Sequence, residues 1–188
     1  GSSLRLNNVN YTNAEPLNLN GTGVGGGGAL QNNGTSSFAG PITLGSDATV
    51  NAGGGTLNLN GGVDKTGTVL TLTGGGIINI NTNGITGNTG TPNSDLVVSG
   101  ATVNLNTANS YNGPTYIRNG GIINANVADA LPTAFGRTDL TLDDIGSGSS
   151  NLTLGVGQSV ASLTGAASST VTLGGNALTI GKTGGATT

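Results

Sequence analysis

The sequence predicts an all-β fold in which short parallel strands are layered coil upon coil, a β-solenoid of roughly eight coils. Three observations predict it. Apolar residues recur with period two, over runs of only three to five residues. Gly, Thr, Asn and Ser together supply 105 of the 188 residues, so each run carries little apolar material of its own. Gly pairs, Gly triplets and Asn-Gly steps punctuate the runs, and each is a turn signal. Strands this short and light bury too little to stand alone, whereas in a stack each coil covers its neighbour. Asn is well suited to such a stack, because identical amides on successive layers can line up as ladders.

In chain order the alternating runs are Leu4 with Leu6, Leu17 with Leu19, Ile42 with Leu44, Leu57 with Leu59, Leu70 with Leu72 and Ile78 with Ile80. They continue with Leu96 and Val98, Val103 and Leu105, Leu140 and Leu142, Leu152 and Leu154, Val171 and Leu173, and Leu178 and Ile180. The residues between are mostly Asn and Thr, which suit a solvated strand face. The best helical stretch, residues 127–135, is interrupted by Pro132. The Gly run 25–28 reads as a tight corner or flexible loop rather than a phosphate cradle, since no helical pattern follows it. Lys65 and Lys182 each sit just after a strand and beside Gly or Thr, and are expected at a coil edge, where they discourage sideways pairing. Residues 133–144 hold Phe135, Arg137 and three of the eight acidic residues, and read as a longer loop between coils. No composition break divides residues 1–188, which read as one solenoid segment of a longer protein. A β-sandwich is the alternative fold, although it favours longer strands and more aromatics than the five present.

An internal echo supports stacking. FAGPITLGSDATVN at residues 38–51 aligns without a gap on YNGPTYIRNGGIIN at residues 111–124, an offset of 73. This matches Phe38 with Tyr111, Gly40-Pro41 with Gly113-Pro114, Leu44 with Ile117, and Val50 with Ile123. A shorter echo, LNLNG, occurs at residues 17–21 and 57–61. A coil of about 20 to 25 residues fits these spacings, and eight coils at ~4.8 Å per layer make a rod of about 40 Å.

Composition removes several functions. The chain has no Cys, His, Met or Trp, so Cys and His metal sites, Cys or His catalysis and disulfides are excluded. Net charge is −3 with five Lys and Arg, which argues against a nucleic-acid face. No apolar run reaches the roughly 18 residues that span a bilayer, so this segment is not expected to insert in a membrane.

Residues 108–132, ANSYNGPTYIRNGGIINANVADALP, resemble the autotransporter-associated β-strand repeat. The likeness rests on Asn109, Tyr111, Gly113, Thr115, Ile117, Gly120, Ile122-Ile123 and Ala130-Leu131-Pro132. Residues 27–63 and 172–188 look like the linking text between such repeats. The resemblance implies a right-handed, single-stranded β-helix in the secreted passenger of a large bacterial surface protein. It also implies export through an outer-membrane β-barrel encoded elsewhere in the protein. The repeat is structural and carries no catalytic residues.

Candidate sites are few. Asp139, Asp143 and Asp144 form the only acidic cluster and are weak calcium candidates, although the calcium-binding repeat and EF-hand spacings are absent. Tyr116 alternates with Ile117, so if Ile117 points inward Tyr116 is a surface contact able to stack on a sugar. No cofactor is expected. The leading expectation is a non-enzymatic stalk or adhesin-like segment on the bacterial cell surface. Its partners would be a glycan, or a host or neighbouring-cell surface protein, or further copies of itself. The alternatives are a filament or matrix subunit stacking through its coil ends, and a polysaccharide-active β-helix with paired carboxylates.

Overall fold

A computed structural model describes residues 1–87, 94–146 and 148–182. The strands are parallel and stack as a solenoid of about eight turns. Each strand is short because Gly and Asn-rich corners end it after one side of a coil. Each strand is stable because its neighbours above and below take its main-chain hydrogen bonds.

Three strand columns run along the stack. The first contains Leu4–Leu6, Leu70–Thr73, Leu96–Ser99, Thr115–Arg118, Asp139–Leu142 and Ser162–Gly165, with residues 30–32 and 48–51 completing its eight rungs. The second contains Asn10–Tyr11, Ile77–Ile80, Thr102–Leu105, Ile122–Ala125, Asn151–Leu154 and Thr170–Thr172, together with residues 35–38 and 56–59. The third begins with Leu17–Gly21 and passes through residues 42–44, Val63–Asp64, Ile85–Gly87 and Ser110–Tyr111, and on later coils Gln158–Val160 and Leu178–Ile180 form a separate two-stranded sheet.

Alternation turns every second residue inside, so both apolar residues of a run such as Leu70 with Leu72 or Val103 with Leu105 are buried. Leu30, Val50, Leu72, Val98, Ile117 and Leu142 stack on successive rungs of the first column and are at most 1% exposed. Leu57, Ile78, Val103, Ile123 and Leu152 do the same in the second. Each such side chain contributes about 1.5–3 kcal/mol of burial. Successive rungs are 19 to 26 residues apart along the Leu4-to-Gly165 row. The variation lies in the corners, where Gly permits close backbone approach. At Gly55, with φ +69°, a Cβ would stand 2.3 Å from the Gly34 carbonyl oxygen of the coil beneath. Seven steps at ~4.8 Å make the described stack about 34 Å long.

The structure sets a different register from the sequence echo. Ile117 stacks above Val50 through Leu72 and Val98, an offset of 67, and not above Leu44. Leu44 pairs with Leu19 in the third column. Ile123 belongs to the row of Leu57, not of Val50. Phe38 lies between Tyr11 and Leu59 in the second column, whereas Tyr111 pairs with Gly87 in the third. Pro41 and Pro114 likewise stand at different corners: the Pro41 carbonyl accepts from Leu17 N–H and that of Pro114 from Leu96 N–H. Gly40 and Gly113 precede them at those two corners. The two LNLNG stretches also fall in different columns. These echoes record a shared local grammar, Gly-Pro before a strand or alternating Leu and Asn within one. Coils of unequal length break any link between a fixed offset and the stacking register.

One further expectation changes, and one reading stands. Residues 133–144 are not one long loop, because Asp139–Leu142 is a strand of the first column. Residues 127–135 form no helix; the one helical element among the described residues is the single 3-10 turn Val24–Gly26, within the expected glycine corner.

Candidate functional site

The outward positions of the second column carry the most regular polar surface. Asn58, Asn79, Asn104 and Asn124 occupy the same position on four rungs. Each amide donates to the oxygen of the one below: Asn124 to Asn104, Asn104 to Asn79 and Asn79 to Asn58, all at 2.7 Å. Asn58 ends this ladder on the Ser36 carbonyl at 3.3 Å. Two residues further along each coil, Asn126, Asn106, Asn81 and Asn60 form a second ladder with spacings of 2.7, 2.9 and 3.0 Å. Both ladders satisfy side chains that would otherwise compete for the main chain. Truncating Asn104 to alanine breaks one ladder at its centre and is expected to cost about 1 kcal/mol, read as a modest fall in Tm.

The interior of the third column holds a cation. Lys65 is fully buried, which corrects its expected place at an exposed coil edge; Lys182 is exposed. Lys65 N–H bonds to Thr86 O, placing it one rung below Gly87, and Gly87 pairs with Tyr111 on the rung above. Gly87 contributes no side chain to this row, and that vacancy is where the lysine stem runs. A Cβ at Gly87, whose φ is +142°, would stand 3.3 Å from Lys65 Cγ. The Lys65 ammonium donates to the carbonyls of Ser94 and Asn112 and lies 4.8 Å from the Tyr111 ring centroid. Burial lowers its pKa from 10.5 to about 8, with the Asp95 carboxylate pulling the other way. Burial also pushes the Tyr111 phenol up, and that hydroxyl shares a 2.7 Å hydrogen bond with Thr115.

The first column carries the predicted surface contact. Tyr116 is half-buried on the outside, opposite buried Ile117, as the alternation requires. The Arg118 guanidinium lies 4.2 Å from its ring centroid and pairs with Asp143 at 2.9 Å. That pair is partly exposed and contributes at most about 1 kcal/mol. The other acidic candidates are separately engaged. Asp139 accepts from the Ser162 hydroxyl, and Asp144 from Ser168 at 3.3 Å. Among the described residues no group of three or more acidic side chains is placed to hold a metal ion. Among the described residues no helix is long and apolar enough to cross a membrane.

Of the structural positions named from sequence, Phe38, Leu44, Val50, Tyr111, Ile117 and Ile123 are all buried, Phe38 stacking on Tyr11 with centroids 5.4 Å apart. The two Asn ladders were missed as rows, although a signal for them is present. LNLN, ININ, VNLN and INAN occur at residues 57–60, 78–81, 103–106 and 123–126, and these four stretches stack in register. Lys65 was missed because nothing local marks a lysine whose partners lie 29 and 47 residues away.

No family model, no curated protein and no solved structure matches the chain.

Proposed function

We propose that the chain is a non-enzymatic spacer, a stalk or adhesin-like passenger segment of a secreted bacterial surface protein, that holds binding regions away from the cell. The observation that carries this reading is the unbroken parallel register of the first two strand columns over eight rungs each. Such a stack runs its main-chain hydrogen bonds along the rod and buries every other side chain inside its coils, which favours stiffness and slow proteolysis. The likeness of residues 108–132 to the autotransporter repeat supports export to the surface.

Two measurements test the proposal. Antibody against the chain is expected to label intact cells of the source organism, and labelling only after lysis overturns the surface assignment. Tandem duplication of the segment is expected to raise the maximum dimension in small-angle scattering by about 35 Å per copy. A dimension that does not grow overturns the spacer.

A further inference from the structure

The outward row of the third column differs in chemistry from the Asn ladders. Asp64, Thr86 and Ser110 follow one another on three rungs. At ~4.8 Å per rung they span about 10 Å. With Thr66, Gly87 and Phe135 they line a cavity of about 260 Å³. Phe135 comes from the turn that follows the third column's next coil. Thr133 Oγ1 donates to Asp129 at 2.8 Å, and Gly136 N–H bonds to Thr133 O at 3.3 Å, so the residues on either side of Phe135 are tied down. The ring is 48% exposed, large for a phenylalanine that the core does not use.

The polar groups are unevenly committed. Asp64 Oδ1 accepts from Thr66 N–H at 3.0 Å and from Thr66 Oγ1 at 2.6 Å, which fixes the carboxylate. Its Oδ2 has no partner among the described residues. Thr86 and Ser110 add hydroxyls that both donate and accept. A carboxylate that only accepts, beside hydroxyls that do both, matches a ligand whose own groups are hydroxyls. A flat aromatic face at the rim matches the apolar C–H face of a pyranose ring. Among the described residues no cationic side chain lines the cavity, so a uronate, sialate or sulfated sugar would meet Asp64 without compensation. The cavity lies just below the range of typical small-molecule pockets and suits a single ring, with further rings following the row along the rod.

We propose that this cavity is a binding subsite for a neutral oligosaccharide, with Phe135 as stacking platform and Asp64 as the orienting acceptor. The inference stands apart from the spacer reading, since a stalk needs no such site. Calorimetric titration of the whole chain with neutral hexasaccharides of glucose, mannose and N-acetylglucosamine is the direct test. At least one is expected to bind, and Phe135→Ala and Asp64→Asn are each expected to weaken it about tenfold. All the altered side chains are on the surface, so far-UV circular dichroism and Tm should match the unaltered chain. Tyr116→Ala, on another column, is expected to leave affinity unchanged. No binding by any of the three sugars overturns the proposal, as does full affinity in Phe135→Ala or loss of binding in Tyr116→Ala. None of these results bears on whether the segment is a rod.

Discussion

Lys65→Ala is expected to destabilise the fold by about 3 kcal/mol, from a cavity in the third column plus two carbonyls left without a donor. The carbonyls are those of Ser94 and Asn112, which the buried ammonium now satisfies. Lys65→Met is expected to cost much less at neutral pH. It keeps the stem that fills the space beside Gly87, and removing a buried charge offsets the lost hydrogen bonds. The pH dependence separates the two effects. Burial lowers the Lys65 pKa from 10.5 to about 8, so the native chain releases this proton before the unfolded chain does. Between about pH 8 and pH 10 the unfolded state therefore binds more protons, and stability rises with pH, by on the order of 2 kcal/mol. Above about pH 10 the sign reverses, because the buried Tyr111 phenol holds its proton longer in the folded state. Urea unfolding across this range should show the rise in the unaltered chain and a flat profile in Lys65→Met. An equal rise in both would remove Lys65 as its source.

Val103→Asp is expected to abolish folding of the segment. Val103 is fully buried between Ile78 on one rung and Ile123 on the next. A carboxylate there has no partner, and its burial costs several kcal/mol, comparable with the whole stability of a domain of this size. The adjacent residue, Asn104, points outward, and its loss costs about 1 kcal/mol by the ladder argument. The contrast between two neighbouring positions follows from strand alternation alone. The test is circular dichroism of both variants at 20 °C. A folded Val103→Asp chain with near-normal Tm would show that the second column does not face the core.

Strand positions and their inward faces were readable from sequence, because alternation is local. Leu70 and Leu72, or Val103 and Leu105, declare one buried side without reference to anything else. The layered architecture was readable too, since such light strands gain more cover from coils above and below than from a facing sheet. The stacking partners were not. The echo between residues 38–51 and 111–124 is real text, yet it places Leu44 on Ile117 where the fold places Val50 there. Coil lengths of 19 to 29 residues mean that corner length decides the register, and corner length leaves no periodic mark. The better guide was the fourfold apolar-Asn-apolar-Asn pattern, whose spacing of 21, 25 and 20 residues follows the true coils.

By itself, then, the sequence determined an all-β chain of short alternating strands, layered into about eight coils, without Cys or His chemistry. Only the tertiary structure decided which residues share a row, that Lys65 lies inside against Tyr111, and that Asp64, Thr86, Ser110 and Phe135 meet around one cavity. The physical reason is distance along the chain. Alternation and turn propensity act over a few residues, whereas a row in a solenoid joins groups a whole coil apart, and the unequal corners between them set which groups meet.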